Sequence, residues 1–129
     1  MTRKESRELA FVILFEQTVT GGETEEIVEC AKESRDIEPD AFTKDLVFGV
    51  EKNGGDVEEI ISKNIKGWNL TRLSKVTYAI LKLSVFEIKF MPNIPVSVSI
   101  NEAVELAKRY GEEKSSEFIN GVLAKIAKK

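Results

Sequence analysis

Leu9-Ala10-Phe11-Val12-Ile13-Leu14-Phe15 is a run of seven apolar residues inside a helix-forming stretch that begins near Arg3 and stops at Gly21-Gly22. A helix that is apolar on every side leaves no face for water, so this one is expected at the centre of the molecule, covered by others. The rest of the chain supplies the cover. Helix formers dominate, prolines occur only at 39, 92 and 95, and the one period-2 stretch, Pro95 to Ile100, has no partner strand elsewhere. A second helix is expected from about Glu25 to Arg35 with Thr24 as its cap. A third is expected from Pro39 at its first position to about Lys52. A fourth follows Gly54-Gly55, both glycine pairs being read as helix-ending turns, and runs to near Gly67 with Val57, Ile60, Ile61 and Ile65 on one face.

A fifth helix is expected from Thr71 to about Met91, where Pro92 ends it. A sixth is expected to open on a capping box, Ser99 with Glu102, and to stop at Gly111. A seventh starts around Ser115, with Phe118, Ile119, Val122, Leu123 and Ile126 at helical spacing. Seven helices with short loops and no strand argue for an all-α bundle.

Composition limits the chemistry. The chain has 129 residues, no His and one Cys, with 42% hydrophobic and 32% charged residues. That length fits one domain. Without His, a Ser-His-Asp triad, a Cys-His pair and a His-based zinc site are excluded, and one thiol cannot build a thiolate cluster. No apolar stretch approaches the ~20 residues that cross a bilayer, and no secretory leader is apparent, so a cytoplasmic location is expected. Carboxylate pairs such as Glu58-Glu59 sit in polar stretches where nothing would raise a pKa. Glu87 is different: it lies between Phe86 and Ile88, and a carboxylate there needs a partner, most simply a structural salt bridge. No glycine pair is followed by Gly-Lys-Ser/Thr, so a P-loop is rejected. No catalytic residue, cofactor or metal is expected.

Charge is unevenly spread. Residues 11–62 carry 4 basic against 14 acidic side chains, and residues 63–129 carry 12 against 6. Two cationic sets stand out. Arg3, Lys4 and Arg7 begin the chain, with Arg3 and Arg7 four apart on one helix face. Lys108, Arg109 and Lys114 bracket the Tyr110-Gly111 turn, with Phe118 just beyond. If the two sets meet, cations and aromatic rings together would suit single-stranded RNA, whose unstacked bases lie on rings while cations neutralise phosphates. Taken singly, a Phe at this spacing is more often a core residue, and three N-terminal cations are more often solvated. Gly121, inside an otherwise regular helix, is expected to mark a close approach, either of RNA or, as the favoured reading, of the first helix.

The same residues carry a family resemblance. Ile94-Pro95, Ser99-Ile100-Asn101-Glu102-Ala103-Val104-Glu105-Leu106-Ala107-Lys108 and Phe118-Ile119-Asn120-Gly121-Val122-Leu123 resemble the NusB family, as do Trp68 with Arg72-Leu73, Ala79 to Leu83, Glu87, and Arg7 to Phe15. The resemblance implies one NusB-like helical domain over 1–129, made of two packed subdomains, approximately 1–70 and 71–129. It implies binding of boxA-type RNA together with NusE, a small-subunit ribosomal protein, and indirect association with other Nus factors and RNA polymerase. The outcome would be transcription antitermination in ribosomal RNA operons, with no reaction catalysed, no cofactor and no membrane. The family's arginine-rich start falls on Arg3, Lys4 and Arg7, here interrupted by Glu5 and Glu8, and its aromatic RNA contact falls on Phe118. The expected RNA-binding set is therefore Arg3, Lys4, Arg7, Lys108, Arg109, Tyr110, Lys114 and Phe118. Two alternatives remain open: a helical protein-docking module, or the RNA-binding N-terminal domain of a ribosomal RNA methyltransferase.

Overall fold

Thr2 opens helix α1 (Arg3–Thr20). Its hydroxyl accepts from the Glu5 amide at 3.0 Å, while its own amide donates to the Glu5 carboxylate at 2.8 Å. This reciprocal cap satisfies two amides that the helix itself cannot. At the other end Gly21 turns left-handed, at φ 69°, and its amide bonds back to the Gln17 carbonyl. Leu9, Ala10, Phe11, Ile13 and Leu14 are buried, with Val12 and Phe15 half-buried, so α1 is the central helix its apolar run predicts.

The computed structural model describes residues 1–65 and 70–128. Six more helices follow in order: α2 (Thr24–Arg35), α3 (Ala41–Lys52), α4 (Gly54–Lys63), α5 (Lys75–Phe90), α6 (Val96–Tyr110) and α7 (Ser115–Ala127). A 3-10 turn covers Leu70–Arg72, and no strand occurs among the described residues. Helix α5 packs against α1, α3, α4, α6 and α7, and α1 also packs against α2 and α3. Together they bury Phe11, Ile13, Leu46, Ile80, Leu81 and Leu123 almost completely. Each such side chain contributes roughly 1.5–3 kcal/mol of transfer free energy.

Helix starts depart from the sequence reading in five places. Thr24 is not a cap but the buried first residue of α2, and the preceding Glu23 makes no side-chain cap bond. Pro39 precedes α3, whose cap is Asp40, accepting from the Thr43 amide at 2.9 Å. Gly54-Gly55 open α4 directly after α3 instead of ending a helix. Helix α5 begins at Lys75, capped by Ser74, because the Leu70–Arg72 segment winds into a 3-10 turn.

The fifth departure concerns the alternating Val96-Ser97-Val98-Ser99 stretch, which is the first turn of α6. Helix α6 starts after Pro95 and lacks the Ser99–Glu102 capping box; both side chains are used elsewhere. Gly121 is exposed, and a Cβ built on it would meet nothing within 4 Å, so no close packing by α1 explains it. Helix α4 ends at Lys63, capped at Asn64, short of the expected end near Gly67, and Trp68 lies outside the described residues.

Candidate nucleic-acid interface

Arg7 is the N-terminal cation with the most partners. Its Nε and Nη2 donate to the two carboxylate oxygens of Glu87 at 2.8 and 2.9 Å, and Ser99 Oγ donates to the same carboxylate at 2.9 Å. The Arg7 and Glu87 side chains are only 6% and 1% exposed. Glu87 thus has the structural partner its apolar setting demands, and α1, α5 and α6 are tied through one carboxylate. This removes Arg7 from the expected RNA-contacting set. A guanidinium that is buried and held bidentately by an internal carboxylate is not available to phosphate.

The remaining cations of the first set stay at the surface. Arg3 lies over the Phe42 ring at 3.9 Å. Lys4 reaches α6, donating to Glu105 at 2.9 Å and lying 3.6 Å from Glu102. One turn further along both helices, Glu8 accepts from Arg109 and from the Tyr110 hydroxyl, the latter at 2.7 Å. The Tyr110 ring stands 5.0 Å from Phe11 and is 41% exposed. The start of α1 and the end of α6 therefore meet, as the RNA reading requires, through two rungs, Lys4–Glu105 and Glu8–Arg109. Glu102 also lies 3.6 Å from Arg7, linking the surface rungs to the buried pair.

This surface is not a plain basic patch: its cations alternate with carboxylates. The Tyr110 hydroxyl, and then Arg109, hold the Glu8 carboxyl below the usual range, and Lys4 does the same to Glu105. The Glu105 carboxylate in turn raises Lys4, and Glu8 raises Arg109. Each shift in the two rungs favours the charged form of Lys4, Glu105, Glu8 and Arg109, so the arrangement suits recognition of charge and not proton transfer. Solvent-exposed ion pairs are worth about 0–1 kcal/mol, so a phosphate can replace a carboxylate at little cost. The signal for these partners lay in the spacing: Lys4 and Glu8 are four apart on one helix, as are Glu105 and Arg109 on the other, with the signs reversed.

Lys114 and Phe118 line a different recess of about 460 Å³, shared with Arg72, Leu73, Ser74 and Thr77 at the start of α5. Lys114 adopts a left-handed backbone at φ 75° just before α7. Phe118 is half-buried beside the core. Lys108 is exposed on the last turn of α6. Arg72, which the sequence reading did not select, adds a cation to this second recess.

Among the described residues no group of three or more metal-ligating side chains gathers, and no helix is long and apolar enough to cross a membrane. The model of the NusB family matches residues 4–128. A transcription antitermination protein NusB from Clostridium botulinum (strain Loch Maree) is 44% identical, the match covering 98% of this chain and 99% of the relative. Among solved structures, T. maritima NusB is similar at a TM-score of 0.88 with 33% identity, covering 100% of this chain and 92% of its own. The antitermination factors NusB and NusE in complex with dsRNA give a matching chain at TM-score 0.88 with 29% identity, covering 98% of this chain and 96% of that one.

Proposed function

The chain belongs to the NusB family, and from that premise we infer that it is a transcription antitermination factor that binds RNA together with NusE. The observation that carries this reading is the match over almost the whole length to relatives bearing that name, one of them solved with NusE and RNA. Its RNA is a boxA-type single strand from a ribosomal RNA operon leader, and it works in the cytoplasm beside RNA polymerase and other Nus factors. No residue of this chain is proposed to catalyse a reaction.

The RNA path proposed for this chain uses Arg3, Lys4, Lys108, Arg109 and Tyr110 on the α1–α6 surface, and Lys114 and Phe118 in the recess before α7. Cations neutralise the backbone, and the two rings offer stacking surfaces for bases. Reversing the charge of Arg3 and Lys108 together (R3E with K108E) is expected to weaken binding of a fluorescent boxA-type RNA at least tenfold by anisotropy. Lys108 is exposed, and Arg3 gives up only its surface contact with the Phe42 ring, about 0.5–1 kcal/mol, so the thermal midpoint falls by a few degrees at most. Unchanged affinity in the double variant removes these two cations from the interface.

A second reading has one observation in its favour. Because carboxylates alternate with the surface cations, the α1–α6 face also suits docking of a protein of mixed charge, with the partner supplying the RNA contacts. Binding of RNA by this chain alone separates the two.

A further inference from the structure

Lys4 and Arg109 are held by this chain's own carboxylates, Glu105 and Glu8. The two rungs run in the same sense along α1 and α6, with partners 101 residues apart in both. Each carboxylate places oxygens against the very nitrogens that a phosphate would take, and Glu8 is fixed further by the Tyr110 hydroxyl at 2.7 Å. Glu102 stands behind them, 3.6 Å from both Lys4 and Arg7. A polyanion reaching this face meets cations that are already neutralised.

We propose that Glu8 and Glu105 are built-in competitors for RNA phosphate, holding Lys4 and Arg109 in ion pairs that RNA must open, and so set how tightly the protein grips RNA. The proposal rests on the RNA-binding reading and adds to it two residues of the opposite charge to those expected at such a surface. It gives the pairs a purpose that stability does not, because exposed pairs of this kind contribute little to folding. It also accounts for Arg109 and Tyr110 sharing one carboxylate oxygen: opening that rung frees a cation and a ring together.

The test is a titration of fluorescein-labelled boxA-type single-stranded RNA with the full chain, alone and with NusE, comparing wild type with E8Q, E105Q and the double variant. Each single substitution is expected to tighten binding about two- to five-fold, the equivalent of one exposed pair. The gain in E105Q should vanish in a K4M background, and the gain in E8Q in an R109M background, because it acts through those cations. E59Q, which removes one charge from the separate Glu59–Lys63 pair on α4, should leave affinity unchanged. Circular dichroism spectra should be the same for all variants.

If wild type binds RNA and E8Q and E105Q bind no tighter, the proposal is overturned while the RNA-binding reading stands. An equal gain in E59Q also overturns it, since net charge alone would then explain the effect. If neither wild type nor the carboxylate variants bind RNA, with or without NusE, both are lost. If only the variants bind, the proposal holds in its strongest form.

Discussion

Breaking the Arg7–Glu87 pair from one side strands a charge among apolar side chains. R7M is expected to cost about 3–5 kcal/mol in urea unfolding, the usual penalty for an orphaned buried ion. Adding E87M should recover most of that loss, because the pair's desolvation cost disappears with its attraction. A single-variant loss below about 1 kcal/mol would mean that water reaches Glu87 in solution. The need for a partner at Glu87 was legible in the sequence, since a carboxylate between Phe86 and Ile88 cannot stand alone. The partner's identity was not: Arg7 lies 80 residues away and shares its helix face with Arg3, which stays exposed over Phe42. Two glycines make the same point. A Cβ on Gly49 would run into the Phe86 ring, whereas one on Gly121 meets nothing. G49A is therefore expected to destabilise by ~1–3 kcal/mol. G121A should stabilise by ~0.5–1 kcal/mol, because the unfolded chain loses freedom and no contact is strained. Thermal unfolding of the two variants should move in opposite directions.

Among elements, α3 is pinned by one residue. Asp40 caps it, accepting from the Thr43 amide, and also accepts from the Ser6 hydroxyl of α1 at 2.6 Å. These bonds, that from Ser6 foremost, lower the Asp40 carboxyl below its ordinary range. Its contribution to stability is thus fully present above the unfolded value of about 4 and fades as pH falls through the lower folded value. The stability difference between wild type and D40N should be present at pH 7 and shrink steadily below pH 4 in a urea series. A constant difference would show that the Ser6 bond does not depend on Asp40 charge. Helix interiors were readable from periodicity, but their starts were less so. Ser99 and Glu102 have the spacing of a capping box, yet Ser99 is drawn to Glu87 and Glu102 to Lys4 and Arg7, while Pro95 starts α6 a turn earlier. Long-range partners outcompeted a local pattern that was sound in isolation.

Across the whole molecule, the cationic start of α1 meets the cation-bearing end of α6. The sequence reading set that meeting of cations only as a condition for an RNA surface, and it anticipated the family. It did not anticipate that carboxylates would be threaded between the cations, because that depends on which turns of α1 and α6 face each other in space. Nor did it show that Lys114 and Phe118 would line a recess of their own with Arg72. RNA held by exposed cations, as proposed for the α1–α6 face and the recess before α7, must respond to salt. The most direct measurement is the affinity of a fluorescent boxA-type single-stranded RNA for the protein with NusE across a salt series. The account predicts a linear fall of log affinity with log salt, with a slope near −0.7 for each phosphate neutralised and a total of about −2 to −3.5. An affinity that does not change with salt, or no binding at any salt, would contradict it.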